Sequence, residues 1–68
     1  MKLEYDKEAD AAYLYLEHPP KDGTVKKTVE FQKDIILDFS HDGKLLGVEV
    51  LNASKHLSKQ AILDAERA

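Results

Sequence analysis

The side chains with the most capacity for chemistry in this 68-residue chain are carboxylates, and two of them, Asp38 and Glu49, fall in neighbouring apolar segments. Pairing those segments across the turn at Asp42-Gly43 sets the two acids on one face as diagonal neighbours, within reach of each other. Paired carboxylates do acid/base work when burial drives their pKa values apart. The sequence places no His, Lys, Ser or Tyr to complete such a site, and a sheet this small does not surround a substrate. The pair therefore reads better as a polar face, or as charges that meet a partner, than as a small enzyme's carboxylate pair. Asp6, Glu8, Asp10 and Glu17 stand at positions one, three, five and twelve of a notional calcium loop. Such a loop needs glycine at its sixth position and a helix on each side. Ala11 stands there and a strand pattern follows, so the segment reads as a solvated acidic turn.

His18, His41 and His56 are spread over a loop, a turn and a helix start, without the close ligand pair of a zinc motif. Ser40-His41-Asp42 is contiguous on a hairpin end, whereas a triad is assembled by geometry across a fold. Gly23, Gly43 and Gly47 serve turns and close strand packing; they form no phosphate-cradling loop. Asn52-Ala53-Ser54 matches the glycosylation pattern and, with no export signal in view, is expected to stay unmodified. Tyr5, Tyr13 and Tyr15 suit half-buried core or interface positions better than base stacking. No catalytic, metal or cofactor-binding residue is assigned, and no cofactor is expected.

The elements that position these groups must fit in a single domain, residues 1–68, with 43% hydrophobic and 34% charged residues. A domain of this size buries only about 60% of its unfolded surface, and its core rarely yields more than about 3–5 kcal/mol of net stability without a staple. Cysteine is absent and no ligand cluster suggests a structural metal, which leaves oligomerisation; the expectation is a homodimer that buries the second face of the sheet or an edge. The start, Met1 to Asp6, lacks an apolar leader, and the longest apolar run, Ala11 to Leu16, is too short to span a bilayer. A cytoplasmic protein without a membrane partner follows. The net charge of −3 and scattered lysines argue against nucleic acid and favour, if anything, a basic protein partner.

Along the chain, Leu3 and Tyr5 alternate with Lys2 and Glu4 as a half-buried strand, and Ala11 to Leu16 is apolar at both parities, a strand covered on both faces. His18-Pro19-Pro20-Lys21-Asp22-Gly23 is a loop. Thr24 to Phe31 alternates, with Val25, Val29 and Phe31 on one face, and Ile35 to Phe39 is the fourth strand. Asp42-Gly43 signals a two-residue type I′ hairpin. That turn pairs Leu37 with Val48 and Ile35 with Val50, collecting Ile35, Leu37, Phe39, Leu46, Val48 and Val50 on one face. A three-residue loop with a Gly bulge would instead put Gly47 and Glu49 on the same side as Leu37 and Phe39, so the segregated register is the expectation. After Leu51 the period changes: Asn52 caps a short turn, Ser58 caps a second, and Lys59 to Ala68 is helical. Ile62 is expected to dock on the dry face of the last hairpin. The fold class is α+β, mainly β: a five-stranded antiparallel meander with a short C-terminal helical segment packed on one face.

Two stretches carry a resemblance. Tyr5-Asp6 with Ala9-Asp10-Ala11 and Tyr13, and then Asp38, Asp42-Gly43-Lys44, Gly47-Val48-Glu49-Val50-Leu51 and Ala53-Ser54, resemble the two signatures of the small bacterial and archaeal family DUF2283, a domain of unknown function. Val48 and Val50 stand where that pattern often has isoleucine. The resemblance marks Tyr5, Asp6, Asp10, Tyr13, Asp38, Gly43, Gly47 and Glu49 as motif and interaction candidates. It implies no established activity. Some members look like the antitoxin half of a two-gene module, in which an acidic domain sequesters a basic ribonuclease-like toxin. The reading of the chain itself is a non-catalytic, self-associating protein-interaction module.

Overall fold

The computed structural model describes residues 1–16 and 25–67. The loop expected from His18 to Gly23, together with Glu17 and Thr24, lies outside the described residues. Five strands follow in order: β1 (Lys2–Asp6), β2 (Ala11–Tyr15), β3 (Val25–Gln32), β4 (Ile35–Ser40) and β5 (Leu45–Leu51). Two short helices, α1 (Ala53–His56) and α2 (Lys59–Asp64), precede a two-residue strand, β6 (Glu66–Arg67). The α+β, mainly β class and the five antiparallel strands are as expected from the sequence.

The strand order is not that of a simple meander. The sheet runs β3-β4-β5-β2-β1-β6, so β2 pairs with β5 and β3 takes the far edge. The side chains explain the preference. In this order Ala12 faces Val50, Leu14 faces Val48 and Tyr15 faces Gly47, setting large groups against small ones. A sheet-interior position for β2, between β1 and β5, also fits its apolar character at both parities.

The last hairpin keeps its expected pairing in the middle and changes it at the tip. Leu37 faces Val48 and Ile35 faces Val50. The turn, however, is a three-residue loop: Ser40 N–H donates to Lys44 O at 2.8 Å, Gly43 N–H to Ser40 O at 3.0 Å, and Gly43 sits at φ 86°. Left uncorrected, that loop would flip every side chain of β5. A register shift takes Asp38↔Gly47 to Phe39↔Leu45, leaving Leu46 as the extra residue, and this bulge restores the parity of Val48 and Val50. Leu45 rather than Leu46 thus stands opposite Phe39. Bulges in β3 likewise remove Phe31 from the apolar row, and it is 66% exposed.

Cross-strand pairing sorts the sheet into rows. Tyr5, Ala12, Val50 and Ile35 form one apolar row, and Leu3, Leu14, Val48, Leu37 and Val29 form the next on the same face. The opposite face carries Lys2, Tyr15, Gly47, Asp38 and Thr28 in one row and Glu4, Tyr13, Glu49, Ile36 and Glu30 in another. Helix α1 covers the first apolar row: Ala53 is wholly buried with Ala12 and Val50, and Leu3, Tyr5, Ile35, Val48 and Leu57 pack around them.

The tail caps as expected at one helix and not at the other. Ser58 Oγ accepts from Ala61 N–H at 3.1 Å and starts α2. Asn52 occupies the left-handed region at φ 51° and makes no side-chain cap on α1. The expected seat of Ile62 also shifts. The first apolar row of the hairpin face is taken by α1, and Ile62 lines a cleft with Tyr5, Lys7, Leu63 and Ala65 beside β1.

Candidate functional site

The candidate residues separate into two clusters, one on the polar face and one at the corner where α1 leaves the sheet. On the polar face, Tyr13 of β2 reaches over β5 to Asp38 of β4. Its hydroxyl donates to Asp38 Oδ2 at 2.5 Å, and Thr28 Oγ1 of β3 donates to Asp38 Oδ1 at 2.8 Å. The crossing is possible because residue 47 has no side chain. A Cβ on Gly47 would lie 2.5 Å from Tyr13 Cε1 and 2.7 Å from Cζ, well inside contact distance. Tyr15 stacks beside Tyr13 with ring centroids 4.6 Å apart and planes at 49°. Glu49 stands directly opposite Tyr13 in the pairing, and Glu4 flanks it on the other side.

The chemistry available here is that of a fixed strut. Both oxygens of Asp38 accept hydrogen bonds from hydroxyl donors, so the carboxyl group is held in place by two strands. Burial, and then the hydrogen bond to Asp38, push the Tyr13 phenol well above its ordinary value. A phenol held neutral in that way donates a hydrogen bond at neutral pH and does not act as a base. The sequence left Asp38 and Glu49 without a third group. Tyr13 is that group for Asp38, and the signal that could have found it is the glycine at 47, which only the β2–β5 pairing makes meaningful.

The corner cluster is built on Asp10. This residue holds φ 51°, as Asn52 does, while Asp34 holds φ 75°; short polar side chains tolerate this region better than others. Asp10 Oδ1 accepts from the Tyr5 hydroxyl at 2.8 Å and from Ser54 N–H at 3.0 Å, and Oδ2 accepts from Ser54 Oγ at 2.7 Å. Its carbonyl accepts from Ala53 N–H at 2.8 Å. The Ala53 and Ser54 N–H donors of α1 are therefore satisfied from the β1–β2 turn rather than by the Asn52 side chain, while Lys55 N–H donates to the Asn52 carbonyl at 2.9 Å. Asn52 Nδ2 instead donates to Asp34 Oδ1 at 3.2 Å, and His56 Nε2 lies 3.1 Å from Asp34 Oδ2. The Ser54 and Tyr5 hydrogen bonds hold the Asp10 carboxyl below its ordinary value. The His56 contact, with Asn52 behind it, does the same for Asp34.

The remaining candidates have local roles. Asp6 Oδ1 accepts from Glu8 N–H at 3.0 Å and Ala9 N–H at 3.3 Å, which shapes the turn that delivers Asp10. Asp6 and Asp10 thus face different donors. Gly43 supplies the positive φ of the hairpin tip. Ser40 Oγ donates to Asp42 Oδ1 and accepts from Lys44 N–H at 3.1 Å, so the Ser-His-Asp run shapes that turn. Among the described residues, no group of three or more acidic or histidine side chains is placed to hold a metal ion.

Two pH dependences follow. Asp10 has a depressed folded-state pKa, so its stabilisation is present above the ordinary value of 3.8 and disappears as pH falls through the lower folded value. Asp10→Asn keeps the tolerance for positive φ and removes the charge. It is expected to lower the thermal midpoint at neutral pH, with the gap from the parent closing well below pH 3.8; a gap unchanged by acid would contradict this assignment. Tyr13 has a raised pKa, so its stabilisation is complete below the ordinary 10.0 and is lost as pH rises through the folded value. Phenolate absorbance on alkaline titration should show a late step, removed by Tyr13→Phe, that coincides with unfolding. Ordinary titration of every tyrosine near 10.0 would contradict the buried bond.

Residues 2–54, from β1 through the start of α1, match the family model described as protein of unknown function (DUF2283). An uncharacterised protein of the archaeon Methanocaldococcus jannaschii is 40% identical over 55 residues, which cover 81% of this chain and 43% of that relative. The chain thus spans less than half the length of the curated relative it matches. No solved structure matches. Among the described residues, no helix is long and apolar enough to cross a membrane. With both signature stretches inside the matched span and each contributing residues to both clusters, the chain belongs to the DUF2283 family.

Proposed function

We infer that this chain is a non-catalytic protein-interaction module that pairs with a second copy of itself through the part of the apolar face beyond α1. The observation that supports the reading is the row Leu3, Leu14, Val48, Leu37 and Val29, one aliphatic side chain from each antiparallel strand, none of them fully buried. Among the described residues, Ala12, Val50 and Ala53 are the buried hydrophobic ones, and no large side chain is completely enclosed. A domain with so little interior gains most from covering an aliphatic row that water still reaches. Two sheets packed face to face bring such rows together, and a twofold axis lets one surface serve both partners.

The opposite face favours a second reading. Glu4, Glu30, Asp38 and Glu49 share it in a chain of net charge −3, which suits a basic protein partner, the antitoxin-like case. The two readings use opposite faces. Loss of a basic partner on Glu49→Lys, with retention on Leu37→Glu, assigns that partner to the acid-bearing side.

Size exclusion with light scattering tests the self-association directly. The parent is expected to run as a dimer at micromolar concentration and Leu37→Glu as a folded monomer. A monomeric parent at that concentration sinks the reading.

A further inference from the structure

Strand β1 is the edge of the five-stranded antiparallel sheet opposite β3, and its outer side meets β6. The two match in parallel at Glu4↔Glu66 and Tyr5↔Arg67. A two-residue parallel match is a weak hold. The ion pair that accompanies it, Lys2 Nζ to Glu66 Oε2 at 2.8 Å, involves a glutamate side chain that is 65% exposed, where such pairs contribute little.

The strand beneath this cover is built for pairing. It runs in unbroken register with β2 from Lys2 to Asp6, without proline or bulge. The other edge, β3, carries two register shifts, the kind of irregularity that discourages edge-to-edge contact. The β1 sequence Lys-Leu-Glu-Tyr-Asp is also complementary to its own reverse. Set antiparallel to a second copy about Glu4, Lys2 stands opposite Asp6 at both ends and Leu3 opposite Tyr5 at both inner positions. Opposite charges and apolar–aromatic pairs are the matches that stabilise neighbouring strands. Leu3 and Tyr5 both belong to the apolar face, so the face would continue across the junction. Glu4 meets its own image at the centre, each carboxylate already held by Lys2 at 3.1 Å.

We propose that β6 is a displaceable plug on a self-complementary edge, and that when it lifts, β1 pairs antiparallel with β1 of a second copy of the chain. This contact is separate from the apolar-face dimer and stands without it. Full-length variants with a single engineered cysteine test it, since the parent chain has none. In the proposed pairing residue 4 faces itself, with Cα atoms about 4.5–5.5 Å apart, within disulfide reach. Under mild oxidation, Glu4→Cys combined with Glu66→Pro, which removes a backbone donor from the plug, should form disulfide-linked dimer several-fold faster than Glu4→Cys alone. Glu66→Lys, which keeps the backbone donor and sets a cation against Lys2, should act in the same direction should the proline variant fold poorly. The rate should be unaffected by adding Leu37→Glu, which separates this contact from the apolar-face dimer. Equal rates with and without the plug substitutions would overturn the proposal. So would an equal acceleration of cross-linking at a Lys7→Cys control in the exposed turn.

Discussion

The polar side of this sheet depends on a missing side chain. Gly47 leaves a gap on β5 through which the Tyr13 ring passes from β2 to Asp38 on β4, and Thr28 on β3 completes the line. Three strands are thereby joined, across a fourth, by one chain of side-chain contacts that works only in the observed register. A shift of one residue in either β2 or β5 would bring an aliphatic side chain beneath the ring. Because the carboxylate and the phenol satisfy each other, this face needs no helix over it. That matters because the two helices among the described residues are too short to cover both sides.

The helices are spent on the other side, and only part of it. Asp10 and Asp34, each in the left-handed region, grip the exit of β5 from either side: one takes the Ala53 and Ser54 N–H donors of α1, the other holds Asn52 and His56. This grip seats Ala53 on Ala12 and Val50. It also fixes where coverage stops, one row short of Leu14, Leu37 and Val29. The same local chemistry that secures the helix therefore defines the apolar strip available to a partner.

Much of this architecture was legible in the residues, and the misreadings have identifiable physics. The pairing of Leu37 with Val48 and Ile35 with Val50 follows from sorting apolar side chains to one face, and it holds. The turn type does not follow from Asp42-Gly43 alone. A three-residue loop with a compensating bulge at Leu46 gives the same core register, and a period-two pattern cannot register an extra residue. Ser58 caps its helix as its neighbours suggested, because that signal is local. Asn52 does not, because Asp10, more than forty positions upstream, offers a charged acceptor where the asparagine offers a neutral one. The β2–β5 neighbour relation was invisible for the same reason: nothing in the sequence near Tyr13 points to Gly47. Once that relation is missed, the meander looks natural and the tyrosine–carboxylate contact cannot be found.

The most direct measurement is a double-mutant cycle in stability between Gly47 and Tyr13. Gly47→Ala alone should cost about 1–3 kcal/mol, the usual penalty for forcing a methyl group into an occupied space. In a Tyr13→Ala background the ring is gone, and Gly47→Ala should be close to neutral or stabilising, as expected for alanine replacing glycine in an extended strand. Strictly additive effects, with alanine at 47 costing the same whether or not the ring is present, would contradict the account.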